Sequence, residues 1–126
     1  MDNEIIIYQA EDGKTKIELK IEDKTAWLSQ KQISALFQKD VRTINEHLKN
    51  IFEEGELIED SVIRKFRITA TDNKDYDVKD YNLDDIIAVG YRVKSLRGTQ
   101  FRVWANQALK EKIKCNLFEI GYEVKQ

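Results

Sequence analysis

The 126-residue chain is 41% hydrophobic, enough to bury one core, and we expect a single domain over residues 1–126. No apolar run is long enough for a membrane span and the amino terminus shows no secretion signal, so we expect a cytoplasmic protein without membrane partners. One cysteine and one histidine exclude an internal disulfide and a zinc finger, and we expect no cofactor and no metal.

The distribution of charge is more informative than the net charge of −2. A protein that binds any polyanion would be strongly basic, because such affinity comes mainly from neutralising phosphates. Residues 1–60 hold 8 basic and 14 acidic side chains (net −6), whereas residues 61–126 hold 13 and 9 (net +4). Residues 91–115 hold seven basic side chains and one acidic one, which indicates either a phosphate-facing patch or a solvated face.

The chain begins with a predicted β-hairpin. Residues 4–9 and 16–21 are short β-type runs around Asp12-Gly13, a favourable turn pair. In the second run, Ile17, Leu19 and Ile21 alternate with charged residues, which predicts one buried and one solvated face.

Two short amphipathic helices follow, joined by a tight turn, and this pattern is typical of a helix-turn-helix. Ser29 and Gln32 form a predicted capping box, so the first helix should begin at about Gln30. Asp40 is the expected N-cap of the second helix, which should end before a left-handed Gly55. The expected buried residues are Ile33, Leu36 and Phe37 in the first helix and Ile44, Leu48, Ile51 and Phe52 in the second.

The outward side chains of the second helix suit a DNA major groove. Arg42 can pair with guanine, Asn45 with adenine and Glu46 with cytosine, while Lys49 suits a phosphate. One departure from the motif is Gln38, at a turn position where glycine is usual and where a left-handed backbone would cost roughly 1 kcal/mol. Two amphipathic helices that merely pack together, or bind a partner protein, would show the same pattern.

A second hairpin is predicted directly after these helices. Residues 62–70 alternate, residues 71–74 (TDNK) turn the chain, and alternation resumes from Tyr76 to Tyr81. This order is that of a wing, which touches the DNA backbone; the alternative is an edge hairpin whose basic residues prevent unwanted pairing. The expected wing contacts are Arg64, Lys65, Arg67, Thr69 and Lys74.

Two further helices should complete the core. Asn82 caps the first, whose apolar face is Leu83, Ile86, Ile87 and Gly90, with Asp84 and Asp85 in its first turn. The second should start at Gly98-Thr99 and carry a stripe of Phe101, Trp104, Ala105, Ala108 and Leu109, extended by Ile113, in which Trp104 is a core residue. Arg97 and Arg102, flanking that start, either hold a DNA phosphate or pair with Asp84 or Asp85.

Four blocks resemble the virulence RhuM family: residues 27–30 (WLSQ), 50–57 (NIFEEGEL), 81–93 (YNLDDIIAVGYRV) and 97–105 (RGTQFRVWA). The resemblance covers about residues 25–115. It implies a bacterial, mobile-element-associated protein with an amino-terminal DNA-binding region, more distantly similar to phage antirepressor and KilA-N or BRO-N domains. Relatives continue into a longer carboxyl-terminal region, so the chain is expected to be a natural short form, a truncation or an amino-terminal domain.

An enzyme is not expected. His47 is the only histidine, and packing or capping explains it better than catalysis. Asp72, Asp75, Asp77 and Asp80 lack the central glycine and terminal glutamate of a calcium loop, so they are expected to be solvated hairpin carboxylates.

The sequence therefore predicts an α+β winged helix-turn-helix with an amino-terminal β-hairpin and two carboxyl-terminal helices. The expected function is sequence-specific binding of double-stranded DNA, as a homodimer that regulates transcription or a mobile element; the alternative is a protein-interaction module. The predicted DNA-binding residues are Val41, Arg42, Asn45, Glu46, Lys49, Lys65, Arg67, Thr69, Lys74, Arg97 and Arg102.

Overall fold

The computed structural model describes residues 4–109, which form an α+β fold with a five-stranded antiparallel sheet and five α-helices. No helix in this range is both long and apolar enough to cross a membrane. Ile113, Cys115 and the basic residues 110, 112 and 114 lie outside the described residues. The elements are β1 (Glu4–Gln9), β2 (Lys16–Glu22), β3 (Thr25–Ser29), α1 (Gln30–Phe37), α2 (Val41–Glu53), α3 (Glu59–Val62), β4 (Ile63–Thr69), β5 (Asp75–Asn82), α4 (Leu83–Val93), α5 (Leu96–Trp104) and a π-helical turn (Ala105–Leu109).

The sheet has the strand order β1-β2-β3-β5-β4, so the first hairpin forms one edge and the second hairpin the other. Paired residues of an antiparallel ladder project from the same face. Leu19, Ala26, Leu28 and Tyr81 therefore share one face, and all are buried beneath α1 and α4. The opposite face carries Trp27 and, on β1, the exposed side chains of Ile5 and Ile7.

The first hairpin and the capped helix are confirmed. The Ser29 hydroxyl accepts from the Gln32 backbone N–H, and the Gln32 side chain accepts from the Ser29 N–H, so the capping box forms and α1 begins at Gln30. Asp40 occupies the N-cap position of α2, but its side chain makes no capping hydrogen bond. The residues predicted to be buried in α1 and α2 are buried, apart from Phe52, which is partly buried and packs against the core.

The connection between α1 and α2 is three residues long. It contains Gln38 at the turn position where glycine is usual in a helix-turn-helix. Gln38 adopts the left-handed conformation (φ 52°, ψ 51°), and the next backbone N–H, that of Lys39, donates to the Ser34 carbonyl at 3.1 Å. The Gln30 side-chain amide donates to the Val41 carbonyl at 3.2 Å, which ties the starts of the two helices together. The turn therefore keeps its shape without glycine.

Two elements were not predicted. Strand β3 is preceded by a two-residue turn in which Asp23 and Lys24 both have positive φ, a conformation usually signalled by Asn-Gly or Asp-Gly. Helix α3 is a single turn, too short for a periodic pattern.

The predicted start and stripe of the last helix were partly wrong. Helix α5 begins at Leu96 rather than at Gly98, because the Ser95 hydroxyl accepts from the Gly98 N–H as the N-cap. Ala108 is exposed, since the chain enters the π-helical turn at Ala105 and the 3.6-residue period no longer applies. Trp104 packs against Tyr8 (ring centroids 4.8 Å apart), as expected of a core residue.

Helices α4 and α5 meet through two glycines. An ideal Cβ at Gly98 would lie 2.6 Å from the Gly90 carbonyl oxygen, and one at Gly90 would lie 3.3 Å from the Phe37 ring. Because backbone meets backbone here, no side-chain rotation can make room. The contact places Phe101 against Phe37 with ring centroids 6.0 Å apart.

We expect Gly98→Ala to destabilise the protein by about 1–3 kcal/mol, the usual range for overpacking. A loss of stability would distinguish overpacking from helix propensity, because Gly→Ala inside a helix otherwise stabilises the protein by about 1 kcal/mol. Urea denaturation measures the change, and Thr99→Ala, at the exposed neighbouring position, is the control. A Gly98→Ala protein as stable as the wild type would contradict the close contact.

The carboxyl group of Asp85, in the first turn of α4, is buried. Its backbone N–H donates to the Asn82 side chain, whereas neither carboxyl oxygen has a hydrogen-bond partner in the described residues. Burial, followed by the charges of Asp84 and Glu59, raises the pKa of Asp85 to about 8. The group is therefore mainly protonated at neutral pH.

This raised pKa makes the folded state less stable as pH rises. An aspartate in the unfolded chain releases its proton near pH 3.9. Between about pH 4 and about pH 8 the folded state therefore binds the extra proton, and the free energy of unfolding falls with rising pH. We expect wild type to lose stability relative to Asp85→Asn between about pH 5 and about pH 8, measured by urea denaturation. The exposed Asp60→Asn is the matched control; parallel curves for wild type and Asp85→Asn would refute the assignment.

Candidate nucleic-acid interface

The outward face of α2 carries polar side chains that are free for a ligand. Arg42, Asn45, Glu46 and Lys49 are exposed, whereas Ile44, Leu48 and Ile51 on the opposite face are buried. Within residues 4–109 those four polar side chains form no hydrogen bond or ion pair. Val41, in the first position of the helix, is 44% exposed although it is apolar.

The start of α2 and the second hairpin border the same groove. This groove has a volume of about 430 Å³, with Asn45 of α2 and Lys79 of β5 both in its lining. A second groove of about 490 Å³ lies along the hairpin and includes Lys65 and Arg67. The two grooves share Asp77, Val78 and Lys79, so a continuous concave surface runs from α2 to the middle of β4.

Strand register determines which hairpin side chains face this surface. Lys65 pairs with Lys79 and Arg67 with Asp77, so these side chains project from one face. That face is continuous with Tyr81, which is buried on the side of the sheet that carries the helices. Lys79 is absent from the predicted site. The signal that could have identified it is its pairing opposite Lys65, which requires the exact hairpin register.

Arg64 projects from the opposite face of the sheet. Its guanidinium donates to the Asp80 carboxylate at 3.2 Å, forms an ion pair with Glu22, and lies 4.5 Å from the ring centroid of Trp27. Arg64 was expected to touch DNA from the wing, and this expectation is wrong, because the side chain points away from the groove and its donors are occupied.

The hairpin carboxylates are solvated, with one exception. Asp72, Asp75 and Asp77 are exposed as expected, but Asp80 is only 1% exposed and pairs with Lys20 and Arg64. A buried carboxylate between two strands needs cationic partners, and neighbouring strands supply them here. Within the described residues no group of three His, Cys, Asp or Glu side chains could hold a metal ion.

The remaining predicted hairpin contacts have acidic neighbours. The Thr69 hydroxyl donates to Asp75 at 2.7 Å, and Arg67 forms an ion pair with Asp77 at 3.3 Å. Both side chains of that ion pair are more than 60% exposed, so the pair contributes about 0–1 kcal/mol. Lys74 lies in the turn at the exposed tip of the hairpin.

The arginines within residues 91–109 form hydrogen bonds, ion pairs or ring contacts with other groups of the protein. Arg97 donates to the Leu36 carbonyl at 2.9 Å and pairs with Asp12 at 3.3 Å, so the expected alternative partners Asp84 and Asp85 are wrong. Arg102 stacks on the ring of Tyr91 at 4.1 Å.

Arg92 of the same segment bridges Glu54 and Glu56, and both Arg92–carboxylate distances are 2.8 Å. These contacts join α4 to the end of α2. They also lower the pKa of the Glu54 carboxyl.

In a comparison with protein-family models, residues 61–121 match the Virulence protein RhuM family. The matched region starts within α3 and includes the second hairpin, α4 and α5, but not α1 or α2. No curated protein and no solved structure matches the chain. The resemblance to the virulence RhuM family seen in the sequence blocks is thus confirmed over residues 61–121.

Proposed function

We propose that this protein binds double-stranded DNA as a winged helix-turn-helix, with α2 in the major groove and the β4–β5 hairpin against the neighbouring backbone. The observation that carries the proposal is the concave surface shared by α2 and the hairpin, with Asn45 at one side and Lys79 at the other. A recognition helix and a wing must face the same duplex, and this arrangement lets them do so.

The side chains of α2 match the edges of base pairs. Arg42 can donate two hydrogen bonds to guanine, Asn45 can pair with adenine, and Glu46 can accept from cytosine. Val41 offers an exposed apolar surface to a thymine methyl group. None of these side chains has to break an existing ion pair within residues 4–109 before it binds.

The hairpin supplies the cations for the backbone. Lys65 and Lys79 lie side by side on the concave face, and Lys74 lies at the tip. Arg67 can exchange its exposed ion pair with Asp77 for a phosphate, because the pair is weak. Thr69, Arg97 and Arg102 complete the proposed contacts, although each already has a partner within the protein.

One domain of this size makes few base contacts, so specific binding requires two copies on a repeated site. We therefore place the protein among regulators of transcription or of a mobile element, acting by binding rather than catalysis.

A second candidate is a protein-interaction module. Ile58 and Leu96 are apolar side chains that are more than 70% exposed, and such residues are common at protein interfaces. Binding to a partner through these residues would not depend on the α2 face or on its basic neighbours.

The decisive experiment is to incubate the purified protein with fragmented genomic DNA at roughly physiological salt and to sequence what it retains. We expect enrichment of a shared sequence motif, with affinity falling steeply as salt increases from about 50 mM to about 200 mM. Uniform retention of all fragments, or no retention, would contradict sequence-specific binding and favour the partner-binding alternative.

Substitutions on α2 separate base contacts from phosphate contacts. Arg42→Ala should cost about 1–3 kcal/mol on the preferred site and relax specificity at one base pair. Lys49→Ala should weaken binding to all sequences about equally and reduce the salt slope by about 1. Titrations of the enriched site and a scrambled site measure both effects; identical behaviour of the two variants would contradict the assigned roles.

The hairpin contribution is tested by the double variant Lys65→Ala/Lys79→Ala. We expect lower affinity for every sequence and a salt slope reduced by about 2, because two phosphate contacts are lost. Lys14→Ala/Lys16→Ala removes the same charge from exposed positions in the first hairpin, at the other edge of the sheet, and is the matched control. Equal losses in the two variants would show that only net charge matters and that the hairpin is not a wing.

A further inference from the structure

The two edge strands of the sheet are built differently. Strand β4, at one edge, carries Arg64, Lys65 and Arg67, and charged side chains on an edge strand prevent pairing with other chains. Strand β1, at the other edge, has the sequence EIIIYQ, with a single charge at its first residue and neither lysine nor proline. Within residues 4–109 no strand pairs with the outer side of β1.

The side chains of β1 are also unusually exposed for their type. Ile5 and Ile7 are 54% and 56% exposed, on the face of the sheet opposite the buried Tyr8 and Leu19. Within residues 4–109, these two isoleucines leave apolar surface in water on an edge strand whose outer side no other strand covers.

We propose that β1 is a self-association site, at which β1 of a second copy of this chain adds in antiparallel orientation and joins two sheets into one of ten strands. A twofold axis perpendicular to the sheet keeps the same face of both copies on the same side, so paired residues must have the same parity. An axis through Ile6 places Ile5 of each copy opposite Ile7 of the other. Four isoleucines then form one cluster across the axis.

The distribution of charged residues on β1 allows a second copy of the chain to pair at this edge. In the register centred on Ile6, the only charged residue of β1, Glu4, lies opposite an uncharged residue, so no like charges meet. The same operation applied to β4 would bring the basic residues of two copies together, which is destabilising. Strand β1 is therefore self-complementary and β4 is not. This interface does not depend on the proposed DNA binding.

Sedimentation equilibrium of the full chain tests the proposal in the absence of DNA. We expect the wild type to be dimeric and Ile5→Lys/Ile7→Lys to be monomeric, because each lysine would face another across the axis. Both positions are more than half exposed, so circular dichroism should show an unchanged fold. Val103→Lys, at a 52% exposed apolar position on α5, is the matched control and should remain dimeric.

The register is tested by Ile5→Lys/Ile7→Glu, which places opposite charges across the axis and should restore the dimer. A wild-type chain that stays monomeric up to millimolar concentration would overturn the proposal, and so would a Lys/Lys variant that remains dimeric. Dissociation of the Lys/Glu variant would overturn the register centred on Ile6, because registers shifted by two residues place like charges opposite each other. Dissociation of Val103→Lys would assign the interface to α5 instead of β1.

Discussion

The buried carboxylate of Asp80 is the interaction on which the position of the second hairpin depends. Asp80 lies on β5, beside Ser29 of β3, and receives Lys20 from β2 and Arg64 from β4. Arg64 then reaches Glu22 and the face of Trp27, so one group of charges spans four strands. Removing one member of a buried ionic group leaves an uncompensated charge, which is strongly destabilising. The hairpin is therefore joined to the sheet by more than its backbone ladder, through side chains on the face opposite the groove.

Asp85 shows the other way in which a protein accommodates a buried carboxyl group. Asp80 forms ion pairs with Lys20 and Arg64, whereas Asp85 has no cationic partner within residues 4–109, and burial raises its pKa to about 8. The two residues are five positions apart, on either side of the junction between β5 and α4. The sequence around Asp80 and Asp85 does not predict this difference between the two carboxyl groups, because the difference comes from the neighbouring side chains in the folded structure.

The sequence predicted the elements whose signals are local. The capping box at Ser29 and Gln32, the alternation of Ile17, Leu19 and Ile21, and the N-cap at Asn82 each depend on residues within one turn or strand. Strand β3 was missed because its turn uses Asp23 and Lys24 in a backbone conformation that usually requires glycine or asparagine.

In the candidate site, too, the features with local sequence signals could be predicted and the others could not. The exposed face of α2 follows from helical periodicity and could be predicted. The position of Lys79 beside Lys65 and the ion pairs of Arg64 and Arg97 could not be predicted, since these depend on strand register and on partners such as Asp12 that lie far away in the chain.

The start of α2 is held from several sides at once, by the left-handed turn at Gln38, by the amide of Gln30 on the Val41 carbonyl, and by the buried Ile44. A helix fixed in this way is preorganised, so binding would require ordering of side chains but little rearrangement of backbone. In the proposed complex with DNA, contacts of this kind would oppose tilting of the helix toward an imperfect groove. A DNA duplex would then have to supply the adjustment itself, and steps that bend or widen easily would be favoured at positions that no side chain touches.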